Sequence, residues 1–143
     1  MSNLTQNPFG TTIGSDDIVE TLSFFEGWED RYKYIIDLGK ELPPMQAESH
    51  TDDRLVKGCQ SQVWIDHEII DGEFWFQVDS DAFIVKGLLG VVLAAYNGKK
   101  PSAIRDFDIE KYFDDLGLLK HLSPTRGNGL RAMVDKIKNL ASD

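Results

Sequence analysis

Cysteine is the scarcest chemically active residue in this chain, with Cys59 its only representative. One thiol excludes an intramolecular disulfide and cannot supply a cysteine-rich zinc or iron–sulfur site. A peroxide-type redox cycle, which resolves an oxidised cysteine with a second thiol, has no partner for it within the chain. Cations are also in short supply. Fifteen Lys and Arg against twenty-four Asp and Glu give a formal charge of −9, which repels phosphate backbones and argues against a nucleic-acid partner. Long apolar runs are missing too. The longest, residues 87 to 96, is about half of what a membrane span requires, and the first residues carry neither the basic region nor the apolar core of a secretory signal. The expectation is a soluble cytoplasmic protein with no membrane partner.

What is present suits a single domain, 1–143, with enough apolar residues for a core. Residues 1–14 read as a poorly ordered arm. Ser15 with Asp16 and Asp17 predicts a helix start, and Ile18, Val19, Leu22 and Phe25 repeat at helical spacing. After Gly27, a second helix carries Trp28, Tyr32, Ile35 and Ile36 and stops at Gly39 before Pro43 and Pro44. The two are expected to pack as a pair. Residues 46 to 57 are polar and without period, a loop leading to Cys59.

Asp71-Gly72 is a strong two-residue hairpin signal. Folding about it sets Ile70 opposite Glu73 and Ile69 opposite Phe74. One face then holds Val63, Ile65, His67, Ile69, Phe74, Phe76 and Val78. The other is wetter, with Ile70, Trp64 and Trp75 among its acids. Ser80 or Asp81 is expected to cap a helix running to about Tyr96, apolar around nearly its whole circumference and so central. A short turn over 101–106, a helix over 109–116 and a last helix opened by Ser123-Pro124 complete an α+β fold, a small antiparallel sheet packed on one face by helices.

A thiol attacks as its thiolate, and Arg54 and Lys57 lie near enough in sequence to lower the pKa of Cys59. Spacing alone weighs a reactive thiol and a small buried hydrophobe evenly. A cysteine-dependent hydrolase would need a base, for which His50, His67 and His121 are the candidates, His50 the hardest to dismiss because it sits in the loop before the cysteine. A metal site would need an unusual mixture such as His50, Asp52 and Cys59. A carrier that receives sulfur and hands it on needs only one nucleophilic sulfur.

Gly58-Cys59-Gln60-Ser61-Gln62-Val63-Trp64 resembles the signature of SufE-type sulfur acceptors. The likeness extends over nearly the whole chain, through Trp28-Glu29-Asp30-Arg31-Tyr32, Asp79-Ser80-Asp81-Ala82 and Leu122-Ser123-Pro124-Thr125-Arg126. Gln60-Ser61-Gln62 follows the SufE pattern, while residues 7–12 and Asp115-Leu116-Gly117-Leu118 look more like the CsdE branch. The resemblance implies a SufE/IscU-like fold without the scaffold's ligand set, and no cofactor of its own. It implies that Cys59 accepts persulfide sulfur from a pyridoxal-phosphate (PLP) cysteine desulfurase of the SufS or CsdA type. The sulfur would then pass to a downstream acceptor or cluster scaffold. By the same resemblance Arg126 gives electrostatic support, Asp81 anchors the loop, and Gln60 and Gln62 orient it. Trp64 is expected to border the desulfurase-docking surface, unless the N-terminal arm covers it.

Overall fold

A computed structural model describes residues 4–58 and 61–142. Two strands, β1 (Val63–Ile70) and β2 (Glu73–Ser80), pair antiparallel in the register that Asp71-Gly72 dictates, with Ile70 opposite Glu73 and Val63 opposite Ser80. Asp71 and Gly72 both take positive φ, as a tight hairpin turn of this kind requires. The helices are α1 (Ser15–Ser23), α2 (Trp28–Gly39), α3 (Phe83–Tyr96), α4 (Pro101–Asp106), α5 (Ile109–Leu116), α6 (Leu118–His121) and α7 (Pro124–Leu140).

The central element is α3, as its all-round apolar sequence requires. Every residue from Gly87 to Tyr96 is buried. It lies on the hairpin face made by Val63, Ile65, Phe74, Phe76 and Val78, all buried, and its other chief neighbour is α2. There the backbones approach so closely that a β-carbon on Gly87 would overlap the Ile35 carbonyl, so glycine at 87 is a packing requirement. The expected pairing of α1 with α2 is therefore replaced: α2 belongs to α3, and α1 leans on α5 and α3. Arg31 joins these pieces by donating to the carbonyls of Phe25 (3.1 Å) and Leu116 (3.2 Å) at two helix ends.

The N-terminal segment is irregular, yet from Asn7 onward it is seated in the core rather than lying loose as a poorly ordered arm. Phe9 and Asn7 are buried. Asn97, fully buried just beyond α3, accepts from the Phe76 N–H (2.7 Å) and donates through Nδ2 to the Phe9 carbonyl (3.0 Å). One amide thus ties the arm, β2 and the end of α3 together.

Three local expectations also shift. Ile69 is 57% exposed, because it sits at the hairpin tip near the turn. Trp75 is buried: residues 98 and 99 pair with Phe74 at the strand edge and the indole rests on Gly98. Finally, α3 starts at Phe83 with Ala82 as its N-cap residue, so neither Ser80 nor Asp81 is the cap, and at α1 the N-cap residue is Gly14, with Asp17 accepting from its N–H (2.8 Å). No helix among the described residues is long and apolar enough to cross a membrane.

Candidate functional site

Cys59 and Gln60 lie outside the described residues; their flanks are described on both sides. Before them, Gly58 takes φ +91°, open to glycine and strained for any other residue. A β-carbon there would stand 3.6 Å from Ala132 Cβ, so this point of the chain lies against α7. After them, Ser61 Oγ accepts from the Arg126 guanidinium, again from α7, at 3.3 Å. Two residues further on, the chain enters β1. Both ends of the cysteine segment are thus referred to one helix.

Arg126 occupies the first turn of α7, where Ser123 Oγ accepts its backbone N–H (3.2 Å) and Pro124 opens the helix. A cation at a helix N-terminus opposes the macrodipole, at a cost of about 0.3–1 kcal/mol. Among the described residues no carboxylate pairs with it; the ion pairs involve Arg54, Arg131, His50, Lys40, Lys86 and Lys111. Two sources of positive potential therefore converge on the segment that holds Cys59. Beside Arg126 and Ser61 lies a narrow cavity of about 10 Å³, close to the space of one water, lined also by Val63, Val85, Leu130 and Met133 among others.

Asp81 meets the other side of the same segment. Its Oδ1 accepts from the Gln62 N–H (3.0 Å), and its own N–H donates to the Gln62 carbonyl (3.3 Å). Ser80 Oγ donates to that carbonyl as well (2.7 Å) and accepts from the Ala82 N–H (3.3 Å). The sequence suggests Ser80 only as a helix cap; its β2 register position, directly opposite Val63, is the signal that could have found this contact.

Upstream, residues 46–56 cross the wetter face of the hairpin. Gln77 Oε1 accepts from the Gln46 N–H (2.9 Å), and Arg54 Nε pairs with Asp66 (3.1 Å). His50 Nε2 meets Asp79 Oδ2 at 2.7 Å, its Nδ1 meets the Gln46 carbonyl at 2.9 Å, and its ring stands edge-on to Trp64 at 4.7 Å. Lys86 holds the other Asp79 oxygen at 3.5 Å. The Asp79 hydrogen bond raises the His50 pKa, against the opposing effect of burial, and the nearby carbonyls add to the rise. For Asp79, burial pushes the pKa up but is outweighed by the His50 hydrogen bond, the Ser80 N–H and Lys86, leaving it lowered. Imidazolium and carboxylate are thus each other's stabilising partner.

This arrangement redistributes the sequence candidates. Trp64 is half-buried, with the His50 ring edge-on to it and Leu55 bridging to it. Arg54 is engaged by Asp66. Of the other histidines, His67 is stacked on Phe74 (5.6 Å) and His121 on Trp28 (4.7 Å). Among the described residues no three His, Cys, Asp or Glu side chains are grouped to hold a metal ion.

Comparisons with known proteins place the chain in a family. The family model described as "SufE: Fe-S metabolism associated domain" matches residues 16–141. An uncharacterised SufE-like protein of Rhizobium meliloti is 45% identical over 130 residues, covering 88% of this chain and 93% of the relative. One from Rhizobium etli is likewise 45% identical over 130 residues, covering 88% of each chain. A hypothetical protein from Thermus thermophilus, solved in solution, superposes with a TM-score of 0.73 at 18% identity, covering 90% of this chain and 93% of its own, and so speaks for the fold. With the family model matching residues 16–141, from the second residue of α1 to just past α7, the chain belongs to the SufE family.

Proposed function

We propose that this protein is a single-domain, cytoplasmic sulfur carrier that takes persulfide sulfur onto Cys59 from a PLP-dependent cysteine desulfurase of the SufS or CsdA type. It stimulates that enzyme and passes the sulfur to iron–sulfur cluster assembly or another acceptor. In the transfer, the Cys59 thiolate attacks the terminal sulfur of the donor's persulfide. A new S–S bond forms on Cys59, the donor's S–S bond breaks, and the electron pair leaves on the donor's own cysteine sulfur as a thiolate. No external oxidant or reductant enters, and the PLP chemistry stays in the partner.

The observation that carries this reading is the Arg126–Ser61 contact beside the cysteine segment. A half-buried guanidinium with no carboxylate partner among the described residues, set at the positive end of α7, suits an anionic sulfur. Asp81 and Ser80 support it by fixing Gln62, and the narrow cavity offers the transferred sulfur shelter from competing thiols.

The test is desulfurase turnover. With free cysteine as substrate and a SufS- or CsdA-type enzyme, alanine release should rise on addition of this protein and should not rise with Cys59→Ser. Equal rates with and without the wild-type chain, for both enzyme types, would reject the proposal.

A further inference from the structure

Resting on the carrier reading, we propose that Phe83 is the apolar anchor through which this protein docks on its desulfurase. Phe83 is the first residue of α3 and is 77% exposed, whereas the remainder of that helix is buried except for part of Lys86. A first-turn position needs no apolar side chain, and covering a phenyl ring on docking removes apolar surface from water, which favours association.

Its location decides what covers it. Asp81, two residues earlier, is bonded in both directions to Gln62, and Gln62 is three residues from Cys59, so those two positions are at most about 11 Å apart. Sulfur transfer needs the two sulfurs in contact, so the donor's surface must cover the surroundings of Cys59. A standard interface of about 800 Å² per side spans a disc of about 16 Å radius, and Phe83 borders the Gln62 end of that footprint. The occupant is therefore the desulfurase itself, through an apolar socket rimmed by cations. Those cations answer the exposed Asp81 beside the ring and the net charge of −9.

The molecule supplies its own control. Phe24 is 76% exposed but precedes the start of α2, while Gly39 at the other end of α2 abuts Lys86 and Gly87. The two phenyl rings thus belong to opposite ends of a helix about 18 Å long.

The experiment measures binding and sulfur-transfer kinetics of wild type, Phe83→Ala, Phe83→Leu and Phe24→Ala with the PLP desulfurase that donates to the wild-type chain. Phe83→Ala should raise Kd and KM about tenfold (about 1.4 kcal/mol) with kcat at saturation unchanged. Phe83→Leu should recover most of the loss, and Phe24→Ala should behave as wild type. A Kd for Phe83→Ala within about twofold of wild type, or an equal loss in Phe24→Ala, overturns the anchor while leaving the carrier reading intact. A wild-type chain that accepts no sulfur overturns both.

Discussion

Replacing Asn97 with alanine should cost this protein a large share of its stability. The side chain has no exposed surface and satisfies two main-chain groups, accepting from Phe76 N–H at 2.7 Å and donating to the Phe9 carbonyl at 3.0 Å. Asn97→Ala leaves both without partners where bulk water does not reach, at about 1–3 kcal/mol each. The expected total is about 2–6 kcal/mol, against about 5–15 for a typical domain, and a drop in Tm of about 10 °C or more at this length. Urea unfolding read by tryptophan fluorescence gives the number. Asn97→Asp separates hydrogen bonding from size. Protonated, it can both donate and accept; ionised, it sets a carboxylate against the Phe9 carbonyl oxygen. Burial disfavours the charged form, so its folded pKa rises, and its deficit against wild type should be small in acid and widen as pH climbs above the unfolded value of about 3.9. A loss below about 1 kcal/mol in Asn97→Ala, or an Asn97→Asp deficit independent of pH, would refute the role given to this amide.

Two further outcomes follow from the site. His50→Gln keeps a neutral donor toward Asp79 but removes the charge. Because the folded pKa of His50 is raised, the ion pair contributes fully below the unfolded value of about 6.5 and is lost as pH rises through the folded one. The variant should be less stable by about 1 kcal/mol near pH 5.5, after discounting for solvent screening, and should converge with wild type in alkaline buffer. Urea midpoints showing a constant or widening gap would contradict the pairing. Arg126→Gln can still donate to Ser61 Oγ without a charge, so its sulfur-acceptance rate should fall about tenfold. Its stability should hold or gain a few tenths of a kcal/mol as the cation leaves the helix N-terminus, and an unchanged acceptance rate would remove Arg126 from the chemistry.

Local rules carried the parts of the fold that local physics decides. Asp71-Gly72 set the hairpin register down to Val63 and Ser80, and Ser123-Pro124 and Gly117 marked helix ends where the structure has them. Tertiary contacts decided what those rules missed. Trp75 is covered by residues 98 and 99, which a strand pattern cannot foresee, and α2 chose α3 over α1 because Gly87 lets the backbones meet. At the site, Arg126 stood out in the stretch from Leu122 to Arg126, and the structure sets it on Ser61, while Cys59 lies outside the described residues. His50 was legible only as a possible base, because its partner Asp79 stands twenty-nine residues away on the far strand. Phe83 was lost in the apolar run of α3, where exposure depends on the helix beginning at that residue and not at Ser80 or Asp81.

On the proposed function, the Cys59 thiol is the group that carries sulfur. Intact-mass spectrometry after incubation with a PLP desulfurase and free cysteine measures it most directly. The expected result is a gain of one sulfur atom, reversed by a thiol reductant, located on the peptide containing Cys59 and absent in Cys59→Ser. An unchanged mass with desulfurases of both types, or the same gain in Cys59→Ser, would contradict it.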